Sequence, residues 1–239
     1  MDRPVDRNPV DRNELKRAAA YRALDFVKDG MVVGLGTGST AFFVVEGLGK
    51  RVAEGLSVVG IPTSERTAAQ ARSLNIPLAS FAEHSSIDLT IDGADEVERD
   101  TLYLIKGLGG ALLREKIVAA ASRQLVIVVD QEKLVGRLGD HTPVPVEAVQ
   151  FGWQATAAAL KKLGAEPVLR HATEDHPFIT DGGNYILDCR FGRIADAKLL
   201  EQQIGMIVGV VESGLFIGRT SAVIVASEGG VEILARGTL

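Results

Sequence analysis

Short, nearly all-apolar stretches alternate with helical patterns through the first half of the chain, and this alternation constrains the fold more than any other feature. Strands are predicted at 31–35, 56–61, 76–79, 87–91, 102–106 and 124–129. The intervening helices are predicted at 14–27, 39–49, 63–74 and 111–121. Strands that are apolar on both faces are typical of a parallel sheet covered by helices on each side. We therefore predict an α/β fold with a mostly parallel sheet.

The pattern changes after about Arg137. The predicted order becomes strand, helix, two strands, helix and strand, which is the order of a ferredoxin-like α+β domain. Its elements are predicted at 144–149, 152–163, 166–171, 178–180 paired with 184–191 across the turn 181–183, 195–204 and 208–216. A last pair of strands, 220–226 and 230–234, is expected to rejoin the first sheet.

This pattern divides the chain into three predicted units. Residues 14–137 and 217–239 form a Rossmann-like domain with helices on both faces of its sheet. Residues 138–216 form the smaller ferredoxin-like domain, as an insertion. Residues 1–13 contain the polar string Pro-Val-Asp-Arg-Asn twice, and we expect a mobile N-terminal extension there.

Composition excludes several classes of function. No apolar run reaches the roughly 18 residues that a membrane span requires, so no membrane partner is expected. The net charge is −5, no basic block occurs and there is only one tryptophan, so nucleic-acid binding is disfavoured. The start of the chain lacks the apolar core of a secretory signal, and the single cysteine, Cys189, fits a reducing cytoplasm. We expect Cys189 to be a buried strand residue.

The loop Gly34–Thr40 follows a predicted strand and opens a helix. It lacks the third glycine of a dinucleotide fingerprint, and no lysine follows its last glycine as in a Walker A loop. A helix N-terminus offers unpaired N–H groups to an anion, and the hydroxyls of Thr37, Ser39 and Thr40 add donors. The loop therefore predicts a phosphate cradle, with a plain strand-to-helix turn capped by Ser39 as the alternative.

Three carboxylates, Asp92, Asp95 and Glu96, lie within five residues at the end of an apolar strand. Ligands of open α/β sheets bind outside the carboxyl ends of the strands. A turn capped by aspartates is the alternative and explains Asp92 well. A Mg²⁺ site would suit the charge, but no histidine is near in sequence, and we expect no metal.

A glycine turn runs from Lys106 into a helix that carries the triplet Arg114-Glu115-Lys116. Glycines let the backbone approach a ligand closely, and a carboxylate held among cations beside such a turn suits proton transfer. Lys106 and Lys133 each follow a strand and would reach the same rim, where a lysine can stabilise an oxyanion. The alternative is a capped helix with an ordinary surface ion pair and solvated lysines.

Taken together, these strings resemble type A ribose-5-phosphate isomerases. The ordered set covers nearly everything from about Glu14 to Leu234. It comprises Gly-Thr-Gly-Ser-Thr at 36–40, Asp-Gly-Ala-Asp-Glu at 92–96, Lys-Gly to Arg-Glu-Lys at 106–116, Pro-Val-Glu at 145–147, Thr-Asp-Gly-Gly-Asn-Tyr-Ile-Leu-Asp at 180–188, and Gly-Val-Val-Glu-Ser-Gly-Leu-Phe at 209–216.

The resemblance implies an aldose–ketose isomerase that interconverts D-ribose 5-phosphate and D-ribulose 5-phosphate through a cis-enediolate, in the non-oxidative pentose phosphate pathway. Glu115 would be the catalytic base, and Asp92, Asp95 and Lys106 would be the other catalytic residues. The substrate-binding residues would be Thr37, Gly38, Ser39, Thr40, Asp92, Gly93, Ala94, Asp95, Lys106, Gly107, Leu108, Gly109 and Lys133.

The same resemblance implies no cofactor and no metal, a small-molecule sugar phosphate as partner, and a homodimer or homotetramer in the cytoplasm. One position departs from the family, which usually has a glycine where this chain has Leu108. A positive φ at Leu108 would strain the backbone, whereas use of its N–H alone would not.

Three other functions fit parts of the pattern. A sugar-phosphate sensor would bind phosphate through 36–40 without needing Glu115. An amino-sugar-phosphate deaminase would need a histidine for ring opening, and none lies in these motifs. A CoA-transferase would use a glutamate as a covalent nucleophile. Which of Asp92 and Asp95 would assist ring opening is left open by the sequence.

Overall fold

A computed structural model of the protein describes residues 11–235, which contain six α-helices and sixteen strands. The helices are α1 Arg12–Ala23, α2 Ser39–Ala53, α3 Glu65–Ser73, α4 Leu112–Ala120, α5 Trp153–Lys162 and α6 Ala197–Gly205. The strands are β1 Val32–Leu35, β2 Val59–Pro62, β3 Ile87–Asp92, β4 Glu96–Glu98, β5 Leu104–Ile105, β6 Ser122–Asp130, β7 Leu134–Val135, β8 Val144–Ala148, β9 Glu166–Leu169, β10 His171–Thr173, β11 His176–Pro177, β12 Tyr185–Arg190, β13 Val210–Ser213, β14 Leu215–Phe216, β15 Ala222–Ser227 and β16 Gly230–Ala235.

A six-stranded sheet in the order β16-β15-β6-β3-β1-β2 forms the centre of the first unit. Its neighbours are parallel except for the β15–β16 pair at one edge. Val126 and Val128 of β6 pack into the cluster formed with α1 and α2, whereas Ile127 and Val129 pack into a cluster on the opposite face. Because both faces are buried, the strand is apolar from Leu125 to Val129, as the sequence predicts. The mostly parallel α/β fold and the return of the last two strands to the first sheet are confirmed.

Helix boundaries follow local capping. Ser64 accepts a hydrogen bond from the N–H of Thr67 and caps α3, as predicted. Helix α1 begins at Arg12, two residues before the predicted start, because the Asp11 side chain accepts from the N–H of Asn13. Residues 11–13 therefore belong to the cap and first turn of α1. The rest of the predicted extension, residues 1–10, lies outside the described residues.

A second sheet has the order β13-β8-β12-β9, with every neighbour antiparallel. In chain order its strands and helices run β8-α5-β9-β12-α6-β13, which is the predicted ferredoxin-like arrangement. The predicted pairing of 178–180 with 184–191 is wrong. Strand β12 is a central strand whose two edges are already occupied by β8 and β9. Residues 178–180 form no strand. A tight turn joins Thr180 and Asn184, in which Gly183 donates to the carbonyl of Thr180 and Thr180 donates to the carbonyl of Asn184.

The predicted strand 208–216 divides at Gly214 into two strands of different sheets. Strand β13 joins the second sheet, and β14 joins a small third sheet of order β14-β5-β4-β7. A Cβ at position 214 would lie 2.2 Å from the carbonyl oxygen of Lys106, so only glycine allows this approach. Gly214 also accepts from the N–H of Lys106 and donates to the carbonyl of Pro145. The third sheet therefore fixes the backbone at Lys106.

Candidate active site

Asp92, Lys106 and Glu115 come together from three different elements. Asp92 is the last residue of β3, Lys106 directly follows β5, and Glu115 lies in the first turn of α4. The Lys106 Nζ lies 3.0 Å from Asp92 Oδ2 and 3.4 Å from Glu115 Oε1. Asp92 is 1% exposed, Lys106 2% and Glu115 4%. One buried cation is thus shared by two buried carboxyl groups.

The Asp92 carboxylate is held by backbone donors as well as by Lys106. The N–H groups of Thr37 and Gly93 donate to its Oδ1 at 3.0 and 2.8 Å. A Cβ at Gly36 would lie 2.3 Å from the same oxygen, which explains the glycine at this point of the loop. Asp92 therefore joins the loop after β1 to the end of β3 and has donors for a negative charge.

Burial raises the pKa of Glu115 to about 8, against the attraction of Lys106 and together with repulsion from Asp92 and Asp95. Its Oε2 has no hydrogen-bond partner within residues 11–235. Burial also raises the pKa of Asp92, but Lys106 and the two N–H groups oppose that rise. Glu115 is therefore the carboxyl group of this pair that lacks compensating backbone donors and can change its protonation near neutral pH.

Lys106 stays protonated in this cluster. Burial lowers its pKa, but the carboxylates of Asp92 and Glu115 more than compensate and hold the pKa above its usual range. Its Nζ also donates to the carbonyl of Gly93 at 2.5 Å and lies 5.4 Å from the ring centre of Phe216. The site therefore contains a fixed ammonium group beside a carboxyl group that can change its protonation near neutral pH.

Asp95 is anchored through the glycine turn. Its Oδ2 accepts the N–H of Leu108 at 2.9 Å, and its own N–H donates to the carbonyl of Ile105. Leu108 does not have a positive φ; the left-handed positions of the turn are Gly107 and Gly110. The Leu108 side chain is 41% exposed. Leucine at this position therefore supplies its N–H without backbone strain.

Substituting Leu108 by glycine should leave catalysis nearly unchanged. Only the N–H of this residue is used, so kcat/KM should change by less than about threefold, as for a surface substitution. The added chain freedom should lower stability by about 0.5–1 kcal/mol. Steady-state rates and urea unfolding of Leu108→Gly, beside an alanine variant, measure both quantities. A loss of more than tenfold in both variants would show that the side chain itself takes part.

A cavity of about 500 Å³ adjoins the cluster. Twelve of the fourteen residues predicted to bind or transform substrate lie in its wall. The predicted residues that line it are Thr37, Gly38, Ser39, Thr40, Gly93, Ala94, Asp95, Lys106, Gly107, Gly109, Glu115 and Lys133. Asp92 and Leu108 do not line the cavity; both hold residues that do.

The loop before α2 presents backbone and hydroxyl donors to the cavity. Gly38, at φ 125°, precedes the first turn of α2, which carries Ser39 and Thr40. The Thr37 hydroxyl, predicted as a third donor, is instead bonded at 2.7 and 2.8 Å to Thr63 and Ser64 in a buried hydroxyl cluster. The Thr37 side chain therefore connects the loop to the start of α3.

Several cavity residues were missed from the sequence. Arg12 and Lys16 lie one helical turn apart on α1, line the cavity, and add to the charge of Lys133. Arg12 also contacts the Glu132 carboxylate, which follows β6. No local motif marks these two residues, and the predicted extension to residue 13 assigned Arg12 to a segment without structure.

Glu96 has a structural explanation that the sequence did not provide. Its carboxylate accepts the N–H groups of Gly139, His141 and Thr142, each at 2.7 Å. These bonds hold the loop before β8 against the cavity, where His141 and Thr142 form part of the wall. Within the described range 11–235, no group of three or more His, Cys, Asp or Glu residues is arranged to hold a metal ion.

A buried acid of raised pKa, a fixed lysine and a helix N-terminus around one cavity are what an enzyme needs to move protons on a small anionic substrate. A sequence model of the family described as ribose 5-phosphate isomerase A (phosphoriboisomerase A) matches residues 59–230. The chain belongs to this family.

Curated relatives agree along nearly their whole length. The chain is 66% identical over 220 residues to ribose-5-phosphate isomerase A of Gloeobacter violaceus, covering 92% of this chain and 95% of the relative. It is 55% identical to the same enzyme of Gluconobacter oxydans, covering 91% of this chain and 94% of the relative.

Solved structures show the same fold. Ribose 5-phosphate isomerase A from Methanocaldococcus jannaschii superposes with a TM-score of 0.91 at 43% identity, covering 95% of this chain and 100% of that one. Another D-ribose-5-phosphate isomerase, in complex with phospho-erythronic acid, gives 0.92 at 40% identity over the same shares. In the part of the chain that the structure describes, no helix is long and apolar enough to cross a membrane.

Proposed function

We propose that the protein interconverts D-ribose 5-phosphate and D-ribulose 5-phosphate through a cis-enediolate, with Glu115 as the base. One observation carries this proposal: a buried carboxyl group whose pKa is about 8 lies 3.4 Å from a buried ammonium group at the wall of the cavity. General bases are most effective when their pKa lies near the working pH. Family membership supports the same substrate pair, since the curated relatives carry the name ribose-5-phosphate isomerase A.

The substrate phosphate binds at the start of α2. The unpaired N–H groups of its first turn and the hydroxyls of Ser39 and Thr40 face the cavity, and a helix N-terminus favours an anion. Lys133 and Lys16 line the same cavity and add positive charge. This arrangement fixes one end of the sugar phosphate, so that binding energy orients the reacting carbons.

Ring opening precedes proton transfer, and Asp95 is the group proposed for it. Asp95 lines the cavity, whereas Asp92 does not and is occupied by two N–H groups and Lys106. The Asp95 carboxylate takes the proton of the anomeric hydroxyl and the C1 carbonyl forms. The bond from C1 to the ring oxygen breaks, and that oxygen takes up a proton from water. Asp92 then acts by holding Lys106 in place and by keeping it charged.

Glu115 then transfers the proton between the two carbons. In its ionised form it removes the proton from C2 of the open aldose, and the electron pair moves toward the C1 carbonyl oxygen. The developing oxyanion is stabilised by the Lys106 ammonium and by N–H groups of the glycine turn. Glu115 returns a proton to C1, while the proton of the C2 hydroxyl passes to the C1 oxyanion, so that the C2 carbonyl and the C1 hydroxyl of the ketose form.

The rate should depend on pH through Glu115. A base acts only when ionised, so log kcat/KM should rise with a slope of about one below pH 8 and level off above it. Replacing Asp92 by asparagine removes a neighbouring negative charge that raises the pKa of Glu115. The rise of log kcat/KM should therefore occur at lower pH in this variant. Initial rates from pH 5.5 to 9.5 measure both effects. A flat wild-type profile across pH 6–9 would contradict the role of Glu115.

The direct test of function is turnover of ribose 5-phosphate by purified, EDTA-treated protein, followed as ketopentose. Formation of ribulose 5-phosphate supports the proposal. Binding of ribose 5-phosphate without turnover would indicate a sugar-phosphate sensor. If the protein neither binds nor converts ribose 5-phosphate, the substrate assignment is refuted.

We further propose that residues 14–137 with 217–239 form one domain and residues 138–216 another, and that the protein works in the cytoplasm.

We also propose that it forms a homodimer or homotetramer. Phe151 is 95% exposed, Met206 84% and Val208 94%. The segments that carry them are adjacent, because Val149 donates to the carbonyl of Gly209. An apolar patch of this kind supports self-association. Light scattering after gel filtration tests it: a monomer at micromolar concentration would refute the proposal.

A further inference from the structure

The Arg170 side chain reaches from the second sheet to the glycine turn of the active site. Its Nε and Nη2 donate to the two carboxylate oxygens of Asp188, at 2.9 and 2.5 Å. Its Nη1 donates to two consecutive carbonyls, those of Gly107 and Leu108, each at 3.0 Å. The Arg170 side chain is 13% exposed, and its guanidinium lies 5.9 Å from the ring centre of Phe178. Arg170 is therefore fixed by one strand while it holds the backbone of another unit.

These two carbonyl contacts determine where the neighbouring N–H groups point. A trans peptide unit is planar, so the C=O of one residue and the N–H of the next point in opposite directions. With the Gly107 carbonyl on Arg170, the Leu108 N–H must point away from it, and it donates to Asp95 at 2.9 Å. By the same rule, the Leu108 carbonyl on Arg170 turns the N–H of Gly109 away from the guanidinium.

The Gly109 N–H is available for substrate. Among the described residues it has no acceptor, and Gly109 lines the catalytic cavity. Gly107 and Gly110 have positive φ, and one bond of the turn's own, from the Gly110 N–H to the Gly107 carbonyl at 3.0 Å, closes it. That bond does not hold the Leu108 carbonyl, which Arg170 binds. Arg170 therefore constrains this carbonyl from outside the turn.

We propose that Arg170 is a positioning residue of the isomerase: it aims the Leu108 N–H at Asp95 and the Gly109 N–H at the oxyanion of the enediolate. The inference rests on the proposed function and deepens it. It also gives the second sheet a part in catalysis, since both Arg170 and Asp188 belong to that unit.

Lysine cannot replace Arg170 in this role. The planar guanidinium presents five donors in fixed directions, and here it uses three of its nitrogens on four acceptors. A lysine ammonium can neutralise Asp188 but cannot bind it bidentately while reaching two carbonyls. The substitution Arg170→Lys thus keeps the charge and removes the geometry.

The experiment compares Arg170→Lys and Asp188→Asn with Arg190→Lys as the matched control. Arg190 is an exposed arginine near the end of the same strand as Asp188. For each protein we would measure kcat and KM for ribose 5-phosphate, the inhibition constant of phospho-erythronic acid, and the melting temperature. That acid is bound in a solved relative and carries a carboxylate in place of the reacting carbons.

We expect Arg170→Lys to lower kcat by about 10–100-fold, the cost of misplaced donors, with KM changed less than about threefold. The inhibition constant of phospho-erythronic acid should rise by the same factor as kcat/KM falls, because both depend on the oxyanion donor. Asp188→Asn should show a smaller loss in the same pattern. Arg190→Lys should match wild type throughout.

Three results would overturn the inference. They are a wild-type kcat in a folded Arg170→Lys, a loss confined to KM, or an unchanged inhibition constant beside a reduced kcat. If Arg170→Lys does not fold, Asp188→Asn decides by the same readouts. The wild-type protein is assayed first. If it does not isomerise ribose 5-phosphate, the proposed function itself is refuted, and this outcome is distinct from a failure of the inference on Arg170.

Discussion

Glu115→Gln is expected to lose isomerisation almost completely while binding ribose 5-phosphate as well as the wild type. Glutamine keeps the size of the side chain but cannot accept the C2 proton. General acid–base groups contribute about 10²–10⁴-fold to rate, and here one group serves two successive transfers. We therefore expect kcat to fall by about 10⁴-fold, with the dissociation constant of the sugar phosphate within about threefold. Single-turnover assays and calorimetric titration measure the two quantities.

The same substitution should stabilise the fold at alkaline pH. The pKa of Glu115 is about 8 in the folded protein, against an ordinary value of 4.5. Between these values the folded state binds more protons than the unfolded state, so this group makes stability fall as pH rises. Above pH 8 the buried charge costs a few kcal/mol, and the attraction of Lys106 is already included in the raised pKa.

The stability effect has a clear pH signature. At pH 9 Glu115→Gln should be more stable than wild type by about 1–3 kcal/mol, and at pH 5, where Glu115 is protonated, the two should be nearly equal. The exposed Glu174→Gln serves as control and should show no such pH dependence. Equal stabilities of Glu115→Gln and wild type at both pH values would contradict the raised pKa.

Lys106→Met should produce the largest loss of stability among single substitutions in the site. Methionine fills the volume but leaves Asp92 and Glu115 buried without their cation. Breaking a buried ion pair by removing one partner costs about 3–5 kcal/mol. The loss should be greatest at high pH and smaller near pH 5, because protonation removes the unpaired charges. Urea unfolding at pH 5, 7 and 9 measures the effect, with the exposed Lys161→Met as control.

Activity and stability should separate in a double variant. Removing the Asp92 charge as well, in Lys106→Met with Asp92→Asn, should recover at least half of the lost stability, because fewer charges are left unpaired. The rate should stay low by at least about 10²–10³-fold, since the oxyanion donor is still missing. Additive losses of stability in the double variant would show that Lys106 and Asp92 do not interact as the structure indicates.

The central parts of the site follow from sequence because they lie at predictable points of a parallel sheet. Asp92 ends a strand, and the loop before α2 follows the neighbouring strand, so both must meet at the carboxyl edge. The position of Lys106 directly after a strand predicts the same rim. The roles of individual atoms did not follow, such as the commitment of the Thr37 hydroxyl to a buried cluster.

The remaining features depend on contacts between distant segments. Strands β5 and β14 have two residues each, too few for a periodic pattern, yet their sheet holds Lys106 in place. Arg12 enters the cavity through the way α1 lies on the sheet, which local sequence does not specify. Arg170 is separated from Gly107 by 63 positions, and nothing in its surroundings marks it as part of the site.

The most direct test of the account is to let EDTA-treated wild-type protein convert ribose 5-phosphate in D₂O and to examine the product by NMR. In the account, the proton that Glu115 takes from C2 exchanges with solvent during the lifetime of the enediolate. At least part of the ribulose 5-phosphate should therefore carry deuterium at one of the two C1 positions. The account would be contradicted if no ketose forms, or if all product retains the original C2 hydrogen at C1, as in a direct hydride shift.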